Sequence, residues 1–178
     1  MISPDGLKVD YEKVQAILKL PLPQSKRELQ SFFGKINYIA RFIQDYAEII
    51  KPINYLLKGN ATFFWTPEAK EAFCRVKEAL TRAPVLSPPD FQKDFILYIN
   101  ASTVAMSAIL MQEDDQKDEK PIFYASKDLV DYQLKYTEME RQCFALVFAV
   151  QKFWHYLLGH HTIARVLLNP LKYLLSRP

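Results

Sequence analysis

The sequence predicts an α+β chain: a small helical bundle followed by a mixed-sheet α/β unit in the order β-β-β-α-β-α. Three observations carry this expectation. Apolar residues recur at helical spacing from residue 8 to residue 82. A proline-rich break follows, Ala83-Pro84 and then Ser87-Pro88-Pro89-Asp90. Beyond it the texture changes to short strand-like runs around one long amphipathic segment.

Each element has a local reason. Asp10 is an N-cap candidate for DYEKVQAILKL, which Pro21 and Pro23 end. Ser25 and Glu28 read as a capping box opening a long helix to about residue 42. A third helix over 47–57 stops at Lys58-Gly59-Asn60. TFFW is a short strand or an extended turn. Thr66 caps a helix with Pro67 at its first position, running to about residue 81. Runs 95–99 and 104–112 are strand-like, with a tight turn near Ser102. EDDQKDEK is a charged hairpin loop, a solvated turn rather than a cation site. Residues 121–126 form a third strand, 131–158 a long helix and 162–168 a fourth strand; Asn169-Pro170 opens a last helix, LKYLLS. The expected division is a helical domain over 1–83, a linker over 84–94 and an α/β domain over 95–178.

Composition bounds the function. With 49% hydrophobic residues, 12 Phe and 10 Tyr in 178 residues, the chain can bury a core and is not disordered. The net charge of +3 is small, but residues 1–85 carry 13 Lys+Arg against 9 Asp+Glu and residues 86–178 carry 10 against 11. The first part is the polyanion-facing candidate. Cys74 and Cys143 have no metal or disulfide spacing, which predicts reduced, buried thiols in an intracellular, reducing compartment. His155, His160 and His161 lack partners at zinc spacing and read as surface or helix-end residues. No apolar run is long enough to span a membrane.

Gln30, Gly34 and Tyr38 lie four residues apart on one helical stripe, opposite Leu29, Phe32, Phe33, Ile36, Ile39 and Ile43. An amide, a bare backbone and an aromatic make a poor core face. Gly34 admits either a neighbouring helix or a sugar-phosphate ridge; Gln30 can bond a base edge or sugar, and Tyr38 offers a flat ring. Lys26, Arg27, Lys35 and Arg41 flank the stripe as phosphate-contact candidates, or as solvated surface.

The order Gln30, Gly34, Lys35, Asn37, Tyr38 resembles the thumb helix of reverse transcriptases. Four blocks extend the resemblance along nearly the whole chain: VDYEKVQAI with LP.P; SFFGKINYIARFI; FFWTPEAKEAF with APVLSPPDF; and FILYINAS, KPIFYASKDL, HYLLGHH and LKYLLS. Together they are similar to the thumb and ribonuclease H region of gypsy-type LTR-retrotransposon polyproteins, with wording closest to elements of plant genomes. The resemblance implies a thumb bundle and a ribonuclease H-like domain, with an RNA–DNA hybrid or DNA duplex as partner. It also implies a polymerase palm before residue 1 and further nuclease and integrase parts after residue 178, so the chain reads as a slice of a polyprotein.

The resemblance also implies where catalysis would sit. Active members place an acid at the end of the first strand, one in the long helix and one at the end of the fourth strand, to hold two divalent ions. The matching positions here are Asn100 in YINAS, Gln142 in TEMERQCFAL and Leu167 in VLLNPLKYLL, or Asn169 if the register slips by two. None is an acid. Glu138 and Glu140 lie two or four residues from Gln142, and at most one could substitute. The expectation is a degenerate, connection-type domain, no enzyme by itself, with no cofactor. The alternatives are an active ribonuclease H needing Mg²⁺, or a coopted or decayed protein-interaction module.

Overall fold

The computed structural model describes residues 2–3, 6–7, 10–59, 62–166 and 168. The final helix expected after Asn169, together with Leu167 and Asn169 themselves, lies outside them. Two short strands, β1 (Ile2–Ser3) and β2 (Gly6–Leu7), pair antiparallel at the start.

Four helices follow. Helix α1 (Tyr11–Leu18) starts where the Asp10 carboxylate accepts the Glu12 and Lys13 N–H groups, and it buries Val14 and Ile17. Helix α2 (Lys26–Asn37) is capped by Ser25 and buries Leu29, Phe32 and Ile36. Its capping box is shifted by one residue. Ser25 Oγ accepts from Glu28 N at 3.2 Å, but Glu28 Oε2 accepts from Gln24 N at 2.8 Å. The helix stops at Asn37, short of the expected residue 42. The chain turns through Tyr38 and Ile39 into a 3₁₀ turn (Ala40–Phe42), which brings Ile39, Phe42 and Ile43 all into the core. Helix α3 (Tyr46–Asn54) continues into a second 3₁₀ turn (Tyr55–Leu57). Residues 62–66 carry no regular secondary structure. Trp65 pins them, donating Nε1–H to Pro23 O at 2.6 Å from a buried site. Helix α4 (Pro67–Thr81) has Thr66 as its cap and Pro67 at its first position, and buries Ala69, Ala72, Phe73, Val76 and Leu80. Cys74 falls just outside that face and is exposed, and Cys143 is half-buried, so neither is the buried thiol expected.

The segment after α4 is packed. Leu86 is fully buried in the helical core and exchanges hydrogen bonds with Leu7, while Ser87 N–H reaches Pro121 O at 2.8 Å.

The sheet has the order β5-β4-β3-β6. Strands β3 (Phe95–Ala101), β4 (Ala105–Glu113) and β5 (Glu119–Asp128) form an antiparallel meander, and β6 (Thr162–Val166) joins β3 in parallel. Helix α5 (Glu138–Leu157) makes the crossover. It begins seven residues later than expected, because Thr137 and Glu140 form a capping box there and residues 133–135 are a 3₁₀ turn. Alternate residues Phe95, Leu97 and Ile99 of β3 pack with Ala145, Ala149 and Phe153 of α5. Alanines therefore make the closest approach. Val147 and Trp154 are about half exposed at 48% and 49%.

Helix α3 joins the two parts. Ala47 N–H donates to Ser126 Oγ at 2.9 Å, Lys51 Nζ to Val104 O at 3.1 Å and Asn54 Nδ2 to Asp128 Oδ2 at 3.0 Å.

Candidate nucleic-acid interface and the three carboxylate positions

Because Leu29, Phe32 and Ile36 turn inward, α2 must present Arg27, Gln30, Ser31, Gly34 and Lys35 outward, and all five are exposed. Gln30 and Gly34 sit one helical turn apart. Tyr38 follows the last helical residue, 56% exposed, and closes the row. A Cβ added at Gly34 would meet nothing within 4 Å, so no neighbouring helix packs there among the described residues.

The cations differ in what they do. Lys26 Nζ donates to Lys58 O at 3.0 Å and Gly59 O at 3.1 Å, tying α2 to the carbonyls after the second 3₁₀ turn. Its charge is engaged in the fold. Arg27 and Lys35 are exposed, with no carboxylate partner among the described residues. Arg41 places its guanidinium 4.7 Å from the Tyr38 ring centroid and 5.5 Å from that of Phe123 on β5, while Nε donates to Tyr38 O. Lys13 Nζ lies 5.6 Å from the Tyr38 ring. Neither Lys13 nor Phe123 stood out in the sequence, because α1, α2 and β5 meet only in the fold.

Asn100 pairs with Ser107 near the end of β3 and is exposed. It lines an open cavity of about 330 Å³ with Gln44, Asp45, Tyr98, Ser107 and Arg165 among others. Beside it, Glu119 accepts from Tyr98 Oη at 2.7 Å and pairs with Arg165 at 2.8 Å; the first of these contacts is the main reason the Tyr98 hydroxyl is held above its ordinary pKa. Gln142 is different. It sits in the first turns of α5 at 1% exposure, and its Oε1 has no hydrogen-bond partner among the described residues. It is not among the residues lining the Asn100 cavity.

Two divalent ions need several hard, anionic oxygens. Asn100 and Gln142 offer neutral amides, one in solvent and one in the core. Glu140 is committed to the cap, its Oε2 accepting Thr137 N–H and Oγ–H, each at 2.9 Å. Among the described residues no three His, Cys, Asp or Glu side chains come together to hold a metal ion. Neither described position, Asn100 or Gln142, supplies an anionic oxygen of the kind two divalent ions need. The acidic hairpin is a turn laced by its own bonds. Asp114 accepts the Gln116 and Asp118 N–H groups, and the Asp118 bond leads the effects that hold its carboxyl below the usual range. His155, His160 and His161 stand at the end of α5 and beyond it, with His161 Nδ1 2.9 Å from Asp94.

With the fold and these positions in view, likeness to known proteins defines the class. Residues 65–164 match the family model described as the RNase H-like domain found in reverse transcriptase. The chain belongs to that family. It is 36% identical over 175 residues to the retrovirus-related Pol polyprotein from transposon 297 of Drosophila melanogaster, covering 98% of this chain and 16% of that protein. It is 32% identical over 156 residues to the transposon Tf2-3 polyprotein of Schizosaccharomyces pombe, covering 88% of this chain and 12% of that protein. The chain thus spans less than a fifth of these relatives' length. Among solved structures, the foamy viral protease-reverse transcriptase dRH in complex with double-stranded DNA superposes with a TM-score of 0.83 at 25% identity, over 99% of this chain and 31% of that one. The foamy viral protease-reverse transcriptase in complex with an RNA/DNA hybrid gives 0.83 at 25% identity, over 99% of this chain and 24% of that one.

Proposed function

We propose that this chain is the thumb and connection-type part of a gypsy-type retroelement reverse transcriptase, which grips a template–primer duplex and supports the polymerase and nuclease parts without cutting. The observation that carries the proposal is the open face of α2. Gln30, Gly34 and Tyr38 form a row on which no described residue packs at Gly34, flanked by Arg27 and Lys35. Such a face admits a sugar-phosphate ridge, and its cations position a duplex without reading sequence. The foamy viral neighbours bound to double-stranded DNA and to an RNA/DNA hybrid supply the ligand class. The amides at Asn100 and Gln142 support the absence of cleavage, since they lack the charge two dications require.

The test uses an end-labelled RNA–DNA hybrid with the full chain in Mg²⁺ and in Mn²⁺, scoring binding and cleavage together. Salt-sensitive binding with intact RNA is expected. Gln30→Ala with Tyr38→Ala should weaken binding roughly tenfold or more while the helical spectrum is kept, losing a hydrogen bond and a stacking surface. Unchanged binding removes the α2 reading. Cleavage abolished by EDTA would establish the active ribonuclease H instead.

A further inference from the structure

We propose that the groove between the helical unit and the sheet, lined by Arg41, Lys127 and Lys152, holds one sugar-phosphate backbone of the duplex lying against α2. This rests on the α2 reading above and extends it onto the sheet. The groove encloses about 540 Å³. Its walls come from the turn after α2, from β5 and from α5, so it exists only because α3 docks β5 beside the helices.

Three properties mark it as a polyanion site. Its lining holds Arg41, Lys127 and Lys152 and, among the described residues, no carboxylate. The cavity beside the acidic hairpin shows the contrast: there Lys93 and Lys117 share the walls with Asp94, Glu113, Asp114 and Asp115. Lys127 and Lys152 are exposed and have no carboxylate partner among the described residues. Finally, an aromatic ring positions two of the three cations, Arg41 and Lys152, without neutralising them. Phe123 carries the Arg41 guanidinium at 5.5 Å and Lys152 Nζ at 5.6 Å on its ring. Cation–π contact leaves the full positive charge for a ligand and lowers the entropy lost when the ligand binds.

The identity of the polyanion follows from continuity. Tyr38 ends the α2 row and also lines the groove, with Asn37 beside it. A backbone following Gln30, Gly34 and Tyr38 therefore runs onto Arg41 and the Phe123 shelf, then to Lys152 and Lys127. A duplex strand supplies evenly spaced phosphates along such a path.

The experiment measures the affinity of the full chain for a fluorescent DNA duplex two helical turns long, across a salt series. Lys127→Gln with Lys152→Gln should weaken binding roughly tenfold at about 0.1 M salt and flatten the log–log salt slope by about 2, one per lost phosphate contact. Both side chains are exposed and neither has a carboxylate partner among the described residues, so the fold should be kept, which a melting curve checks. Lys70→Gln with Arg75→Gln removes the same charge from exposed positions of α4 outside the groove and should leave the slope unchanged. An unchanged slope in the groove variant, while Gln30→Ala with Tyr38→Ala still weakens binding, overturns the groove and leaves the α2 reading standing. The same loss in the α4 control overturns it as a general charge effect. No duplex binding by the parent chain overturns both. Displacement of the duplex by poly-glutamate that the groove variant resists, with its duplex slope intact, would assign the groove to an acidic polypeptide.

Discussion

Two glutamines on two amphipathic helices face opposite ways. Gln30 stands in solvent on α2, one turn from Gly34, over which no described residue packs. Gln142 is enclosed at the start of α5, with its carbonyl oxygen unpaired among the described residues. The helices differ in how they meet their cores. Helix α2 buries Leu29, Phe32 and Ile36, large side chains that hold its outer face clear of the protein. Helix α5 meets the sheet through Ala145 and Ala149, so its backbone lies close to β3 and any polar group on that face is trapped. Buried polar atoms are normally paired. An amide left unpaired in a close helix–sheet contact marks a position whose shape is constrained by the fold while its chemistry is not satisfied by it. An exposed amide beside a bare glycine is free to serve a ligand.

The largest expected effect comes from restoring charge to the enclosed position. Gln142→Glu should destabilise the chain by about 3–5 kcal/mol near neutral pH, the usual penalty for a buried charge with no partner. Burial raises the folded-state pKa of such a carboxyl above its unfolded value of about 4.3. The folded state then holds the proton more tightly than the unfolded state. The penalty is therefore smallest below pH ~4.3 and grows as pH rises toward the folded pKa. Urea denaturation at acidic and neutral pH checks the sign. Equal destabilisation at both would mean that Gln142 is wetter than its 1% exposure indicates.

The closeness of α5 to the sheet is tested next. Ala149 is fully buried among Phe95, Leu97 and Phe153. Ala149→Leu adds volume where the backbone already approaches closely and should cost about 1–3 kcal/mol. The same change at Ala16, on the exposed side of α1, should be within about 0.5 kcal/mol of neutral. Similar losses at both sites would remove the contrast between a tight face and a loose one.

These contrasts were legible in the sequence to different depths. The caps at Asp10, Ser25 and Thr66 act through neighbours two or three residues away, and local spacing reveals them. The strand order of the meander is equally local. The face of α5 is not. The sequence shows one long amphipathic segment, but which of its apolar residues meet the sheet is decided by packing, which buries Ala145 and Ala149 and leaves Val147 and Trp154 half exposed. The ends of helices were missed where tertiary contacts decide them, as at Tyr38, where turning the chain buries Ile39 and Phe42. On the candidate interface, Gln30 and Gly34 were visible as a row. The second employment of Lys26 and the stacking of Arg41 on Phe123 depend on partners about thirty and eighty positions away in the chain.

The smallest change separates stability from function most cleanly. Gly34 lies in the body of α2, where a glycine weakens a helix by roughly 0.5–1 kcal/mol relative to alanine. A methyl group there meets nothing within 4 Å and the position needs no left-handed backbone, so nothing opposes the gain. Gly34→Ala should therefore raise stability by about that amount. If a sugar-phosphate ridge lies against this row, the same methyl stands between the helix and the duplex, and duplex affinity should fall as stability rises. Thermal melting and duplex titration of one variant give both numbers. A gain in both, or a gain in stability with affinity unchanged, would mean that Gly34 is only a weak point in a helix and that the outward face of α2 does not touch the duplex at that turn.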